Sequence, residues 1–269
     1  MVDVATAVLD IPDGQQAEAV VNDGPSGLSV ISGGKIVKPR RALVYGVHGI
    51  GKSTWAASAP RPIFLPTEEG VNDIDCDKFP LSQTWEQFEG YLKTLAVEKH
   101  SYQTVVIDSA DWLERLIWKA VCHSKSVETI EDISYGKGYV AASEWWSQLL
   151  KALTYLRSNG MTVVLLAHAK IERFENPEDE NYNRYTLALH KTAAAMIQEW
   201  CDEVLFANYK VYTKSTEEGF GKTTTKAIGG DERILRTQEK PFCQAKNRLG
   251  MPGEIPLKWS EYSKYFPKG

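Results

Sequence analysis

Gly46-Val47-His48-Gly49-Ile50-Gly51-Lys52-Ser53-Thr54 follows the apolar run Leu43-Val44-Tyr45 and opens a stretch with helical character. It satisfies G-x-x-x-x-G-K-[ST], and each position has a chemical reason. Glycines let backbone N–H groups wrap a β-phosphate, and the start of the following helix adds the positive end of its dipole. Lys52 reaches the β- and γ-phosphates, while Ser53 offers its hydroxyl to Mg²⁺. Strand, glycine-rich turn and helix in that order place a phosphate-binding loop at the end of a buried strand. ATP and Mg²⁺ are its expected occupants.

Outward from this loop, the runs Ile63-Phe64-Leu65, Val105-Val106-Ile107, Val163-Val164-Leu165-Leu166 and Val204-Leu205-Phe206 lack polar alternation, as strands buried on both faces do. Between them, apolar residues recur at helical spacing. Trp85, Phe88, Leu92 and Leu95 share a face, with Thr84 and Gln87 at capping-box spacing. Further stripes run through Trp112, Leu113, Leu116, Ile117 and Ala120, through Trp146, Leu149, Leu150, Leu153 and Leu156, and through Ala193, Met196, Ile197 and Trp200. Tryptophans on such stripes read as helix faces packed on a sheet rather than as a cofactor box. The alternation predicts an α/β domain over residues 35–269 with a mainly parallel central sheet and helices on both faces. After Asn208 the texture turns to Thr, Lys, Gly and aromatic residues, which predicts C-terminal β-hairpins.

The partner of a phosphate loop is a strand that ends in an acid. Thr104-Val105-Val106-Ile107-Asp108 supplies it 56 residues beyond Lys52, so Asp108 and Ser53 are the candidate metal-binding pair. The competing reading of Asp108 is an N-capping residue.

At 269 residues the chain can bury a full core, and at roughly 150 residues per domain it holds one large domain or two small ones. Eight tryptophans among 10% aromatic residues exclude general disorder. No apolar run approaches the roughly 18 residues of a membrane span. The first cation is Lys35, so the N-terminus lacks the basic start of a secretory signal, and a cytoplasmic location is expected. Cys76, Cys122, Cys201 and Cys243 form no Cys-x-x-Cys pair, and the five histidines have no metal-ligand spacing, which leaves buried, reduced thiols as the expectation. The net charge of −4 is unevenly spread. Residues 1–34 carry five acids and no Lys or Arg, an acidic arm read as weakly ordered, and the remaining body is at +1. Residues 236–269 hold seven Lys and Arg against three acids. Net charge therefore does not exclude a nucleic-acid partner.

The phosphate loop, the segment Ile63-Phe64-Leu65-Pro66-Thr67-Glu68-Glu69-Gly70, the strand ending in Asp108-Ser109, the strand Val163 to His168 and the stretch Ala245-Lys246-Asn247-Arg248-Leu249-Gly250 together resemble the RecA-like ATPase core over residues 38 to 256. More closely they are similar to phage-encoded nucleotide-binding ATPases of the single-strand-annealing, recombinase-like group. The resemblance implies that Glu68, with Glu69 as its alternative, polarises the attacking water. His168 takes the place of a polar residue that senses the γ-phosphate, and Lys246 and Arg248 take that of paired basic fingers reaching into a neighbour's ATP site. A helix-starting acid pair and a solvated basic strand are the plainer readings. The implied DNA-facing loops fall near Tyr135-Gly136-Lys137-Gly138-Tyr139 and between Lys170 and Arg184. Tyr135 and Tyr139 suit base stacking, with Lys137 on a phosphate. The second loop is unsuited, because Glu172, Glu175, Glu178, Asp179 and Glu180 outnumber its cations and should repel phosphate. Lys210, Tyr212 and Lys214 form a further candidate contact, although an amphipathic edge hairpin gives the same pattern.

The expectation is an Mg²⁺-dependent ATPase acting on single-stranded DNA in phage recombination or strand annealing. It self-associates into a ring or filament, with a single-strand-binding protein as a candidate partner. A helicase or packaging motor and a non-hydrolysing assembly switch are the rival readings.

Overall fold

Strand β1 (Arg41–Gly46) has parallel neighbours on both sides, β5 (Thr162–Phe174) and β7 (Glu203–Glu218), so its side chains meet protein above and below. Ala42, Leu43, Val44 and Tyr45 accordingly have no exposed surface, which explains the uninterrupted apolar run. The computed structural model describes residues 31, 33, 34, 36–218 and 222–267; residues 1–30 of the acidic arm lie outside them.

The other expected strands are β2 (Pro62–Pro66) and β4 (Thr104–Asp108), and a two-residue β3 (Asp77–Lys78) lies at the sheet's edge. Helices α1 (Lys52–Ala57), α2 (Trp85–Val97), α3 (Ala110–Lys125), α4 (Lys137–Ser158) and α5 (Lys191–Trp200) intervene. The antiparallel part comprises β6 (Tyr182–Leu187), β8 (Lys222–Arg236), β9 (Lys246–Asn247) and β10 (Glu254–Pro256), and helix α6 (Trp259–Ser263) follows. The sheet runs β10-β8-β7-β1-β5-β4-β2-β3, with β6 on β5 and β9 on β7. This is the expected α/β architecture: a mainly parallel centre, helices on both faces and antiparallel strands towards the C-terminus.

Strand alternation divides the core. Leu43, Tyr45, Val105, Ile107, Leu165 and Phe206 face α2 to α5, whereas Val44, Phe64, Val106, Val164, Leu166 and Leu205 face α1 and α6. Thr84 caps α2 as expected, accepting from Gln87 N at 3.3 Å, but the Gln87 side chain reaches back to Gln83 N rather than to Thr84. Trp112 departs from its stripe: it stays 38% exposed, with the Arg115 guanidinium over its ring.

Three sequence expectations change. The stretch from Lys170 to Arg184 is not a loop but most of a hairpin, because β5 runs on past its parallel neighbours and pairs with β6 from Ala169↔Leu187 to Phe174↔Tyr182. His168 therefore does not end its strand; it marks where β5 exchanges parallel for antiparallel pairing. The C-terminal residues form more than hairpins, since Trp259 of α6 packs on Trp55 of α1 with ring centroids 4.8 Å apart.

At the N-terminal edge of the parallel strands, Asp202 accepts hydrogen bonds from Arg41, Arg157 and Arg248 at 3.0, 3.1 and 3.2 Å. Beside it Glu203 pairs with Arg40 and accepts from the buried Tyr262 hydroxyl at 2.9 Å. Burial works against an ionised Asp202, but the hydrogen bond and charge of Arg41, helped by Arg157 and Arg40, hold its carboxyl below the usual range. Such a group stabilises fully above the unfolded pKa of about 3.9 and loses that contribution as pH falls through its lower folded value. Asp202→Ala should cost about 3 kcal/mol in urea unfolding at pH 7 by stranding the three guanidiniums. The difference from wild type should shrink as the pH falls below 4.

Candidate functional site

The C-terminal edge of the same strands is built differently. Gly46 ends β1 where β7 comes so close that a Cβ would lie 2.2 Å from the Ala207 carbonyl oxygen. Gly49 and Gly51 then adopt φ of 71° and 101°, the left-handed region that glycine enters without strain. These turns bring the chain back into α1 at Lys52. No side chain caps α1 and no acid occupies its first turn, so nothing on the helix competes for its leading N–H groups. Residues Gly46 to Thr54 thus have the form expected of a phosphate loop.

Lys52 is 6% exposed and donates to the Gly46 and Val47 carbonyls, each at 3.2 Å. Burial pulls its pKa down, and the charges of Asp108, Glu68 and Asp111 oppose that pull. Asp108, the last residue of β4, is buried, and its Oδ2 has no hydrogen-bond partner among the described residues. Burial pushes this carboxyl up, partly offset by a hydrogen bond with Ser53 and the charge of Lys52. Ser53 and Asp108 are hard oxygen donors side by side, one with an unsatisfied oxygen, and this fits Mg²⁺. The described residues hold no group of three or more His, Cys, Asp or Glu side chains that could hold a metal alone. An ion here would complete its shell with phosphate oxygens and water.

Glu68 follows β2, whose end is tied to β4 through Thr67. The Thr67 hydroxyl donates to the Ser109 carbonyl at 2.7 Å and accepts from Ser109 N at 2.9 Å. Burial raises the Glu68 pKa against the hydrogen bond of Ser109 and the charge of His168, with Asp108 and Asp111 adding to the rise. Glu69 is exposed. The structure thus separates the two candidates left open by the sequence and brings Glu68 to the phosphate loop.

His168 sits beside Gly46 in register. Its backbone N–H and its Nδ1 each meet an Asp111 oxygen at 2.9 Å, its ring stacks on His48 with centroids 3.9 Å apart, and its Nε2 stands 3.8 Å from Glu68 Oε1. Burial would raise Asp111, but the hydrogen bonds from the His168 ring and backbone outweigh it and hold the carboxyl low. His48 was expected only as a phosphate-loop position, Thr67 was read only as part of the segment that ends β2, and Asp111 was not singled out in the sequence. A signal for Asp111 existed: it is an acid in the first turn of the helix that leaves the Asp108 strand.

The remaining candidates lie elsewhere. Lys246 Nζ donates to the carbonyls of Gln198, Glu199 and Cys201 at 3.0, 2.9 and 2.7 Å, closing the C-terminus of α5. Arg248, 54% exposed, pairs with Asp202 at the opposite sheet edge. Neither approaches this chain's own phosphate loop. Tyr135 is 97% exposed at φ 59°, next to exposed Lys137. Tyr139 is not a free stacking platform. It belongs to α4, donates to Glu131 at 2.7 Å and stacks on His190 at 4.1 Å. Lys210 lies 3.8 Å from Glu232, and the side chains of Tyr212 and Lys214 lie outside the described residues. The acids Glu175, Glu178, Asp179 and Glu180 are exposed at the tip of the β5–β6 hairpin, and Arg184 is held by Glu239.

A family model described as an AAA domain matches residues 38–249. The SPbeta prophage-derived uncharacterized protein YorG of Bacillus subtilis (strain 168) is 29% identical over 130 residues, which is 47% of this chain and 40% of that protein. This match thus spans less than half of the relative's length.

The loop geometry separates two glycines that look alike in sequence. Gly49→Ala meets no atom within 4 Å and should cost about 1 kcal/mol for its left-handed backbone. Gly46→Ala must push β7 away and should cost clearly more and weaken nucleotide binding; urea unfolding of the two variants side by side checks the order.

Proposed function

The chain belongs to the AAA-domain family of P-loop NTPases, and on that premise we propose that it binds and hydrolyses ATP with Mg²⁺ and couples this cycle to single-stranded DNA as an assembly of several copies. The observation that carries the reading is Lys52, a buried ammonium that among the described residues is hydrogen-bonded only to loop carbonyls and feels the charges of Asp108, Glu68 and Asp111. A triphosphate would replace those weak acceptors with charged oxygens.

Ser53 and Asp108 would hold Mg²⁺, which would supply charge neutralisation to the triphosphate oxygens. Lys52 draws charge from the same oxygens. Glu68 in its ionised form orients the attacking water and accepts its proton. Asp111 fixes His168 with the Nδ1–H donated, which leaves Nε2 facing Glu68 and the γ-phosphate end. His168 is then the residue that reads the γ-phosphate and passes its presence into the β5–β6 hairpin.

Arg248, which keeps half its surface exposed, is the cation offered to a neighbour's nucleotide; Lys246 is committed to α5. Tyr135 and Lys137 are the groups offered to single-stranded DNA, by stacking and by phosphate contact. The prophage origin in the relative's name supports a phage genome as the setting; recombination or strand annealing is the process proposed for it.

ATP turnover with and without single-stranded DNA tests the reading. Lys52→Ala should lower turnover about 100-fold, DNA should raise it in the wild type, and Tyr135→Ala should remove the stimulation while leaving basal turnover intact. Wild-type turnover indifferent to DNA would remove the DNA part; an absence of nucleotide binding would remove the whole reading. Because Glu68 works ionised and its pKa is raised, activity should climb with pH through a limb above the ordinary glutamate value of about 4.3. Residual activity in Glu68→Gln should lack that limb.

A further inference from the structure

A nucleotide whose phosphates lie on residues 47–54 has two ends to place. Asp108, Glu68 and His168 come from β4, the end of β2 and β5, all on one side of β1, and they receive the γ-phosphate end. On the other side of β1 lie β7 and β8, and there a 610 Å³ cavity opens beside the loop. One wall is Gly51, Thr54 and Ser58 of the loop and α1, the second is Arg233 of β8, and the third is the C-terminal segment from Leu257 to Phe266.

The cavity is firmly built. Leu257 N donates to the Arg233 carbonyl at 3.0 Å, Tyr262 is tied to Glu203, and Trp259 packs on Trp55 and edge-on to Phe266. Its surface combines apolar area from Trp55, Leu257, Trp259 and Phe266 with hydroxyls from Thr54, Ser58, Ser260 and Ser263. A nucleobase needs an apolar and aromatic wall, and a ribose needs hydroxyl-rich neighbours. None of the lining residues is acidic, so nothing on the wall repels a phosphate tail. Arg233 Nη1 would lie 3.0 Å from a Cβ at Gly51, which puts a guanidinium on the rim of the phosphate loop. There a cation meets the α- and β-phosphates rather than the γ-phosphate.

We propose that this cavity takes the nucleoside half of the bound nucleotide, with Arg233 on its inner phosphates. The proposal rests on the ATP reading above. It makes residues 257–266, which lie beyond the part matched by the AAA-domain model, the element that discriminates a nucleotide from a bare polyphosphate.

The experiment compares Mg²⁺-ADP with Mg²⁺-tripolyphosphate as competitors of a fluorescent ADP. Ser58→Trp, at the exposed position just past α1, fills the cavity; it should weaken ADP by more than about tenfold and leave tripolyphosphate within about twofold. Arg233→Ala should weaken both ligands, and Lys52→Ala should abolish both. Ser263→Trp fills the cavity from the opposite wall and replaces Ser58→Trp if thermal unfolding shows that variant to be misfolded. In the wild type, photolysis of 8-azido-ADP should label the peptide that carries residues 257–266. Unchanged ADP affinity in the folded cavity-filling variants, or labelling confined to another peptide, overturns the cavity assignment while the ATP reading stands. Wild-type protein that binds neither ADP nor tripolyphosphate overturns the ATP reading itself.

Discussion

The ammonium of Lys52 is withdrawn from water with no hydrogen-bonded carboxylate among the described residues, and the arrangement around it follows from that. A buried charge is tolerated when opposite charge is near and the remaining donors are satisfied. Gly46 and Val47 carbonyls serve two donors, and Asp108, Glu68 and Asp111 supply the opposing charge from three different elements. Those carboxylates are themselves crowded, and burial raises Asp108 and Glu68. The site therefore holds cation and anions poised together, each with capacity left for a ligand. Parallel strands make this possible because their C-terminal ends finish side by side and aim successive loops into one crevice.

Helix α3 extends the crevice into the body of the protein. Its first turn presents Asp111 to His168, and one turn later Glu114 accepts from His190 N at 2.9 Å. Burial pushes Glu114 up to about 7, opposed by the His190 hydrogen bond and the charge of Lys170. His190 caps α5 and Lys170 belongs to the β5–β6 hairpin, where it donates to the Leu189 carbonyl at 3.0 Å. Two carboxylates three residues apart lie on the same helix face. Helix α3 thus links His168 directly to the start of α5 and, through the charge of Lys170 on Glu114, to the hairpin.

How much of this was legible in the sequence depended on the range of the interaction. The central strands and helix stripes were readable because burial on both faces of β1, β4 and β5 forces continuous apolar runs, as at Val105 to Ile107 and Val163 to Leu166. The phosphate loop was readable because backbone approach and left-handed turns require glycine at Gly46, Gly49 and Gly51. Partners brought together only by tertiary packing were not. Lys246 and Arg248 look alike as cations two apart, yet one closes α5 and the other pairs with Asp202 across a distance in sequence that no local pattern records. Tyr139 resembled Tyr135 until α4 placed it against His190 and Glu131. The β5–β6 hairpin was missed because its tip is a run of acids and Asn, which reads as a loop when the pairing of Glu172 with Arg184 is unseen.

The two edges of the sheet show why charge has to be judged by place and not by sum. At the N-terminal edge, three guanidiniums converge on Asp202 and a fourth binds Glu203, so two carboxylates offset half of those four positive charges inside the fold. At the C-terminal edge, Lys52 and the carboxylates lie together at the phosphate loop without a direct hydrogen bond between them among the described residues. Arg233 and Lys258 line the cavity on one side of the loop, while Glu175 to Glu180 project from the hairpin elsewhere. A polyanion would therefore meet attraction along the rim formed by β8 and the C-terminal segment and repulsion at the hairpin tip. The charge pattern orients a phosphate ligand on the molecule although the chain as a whole is acidic.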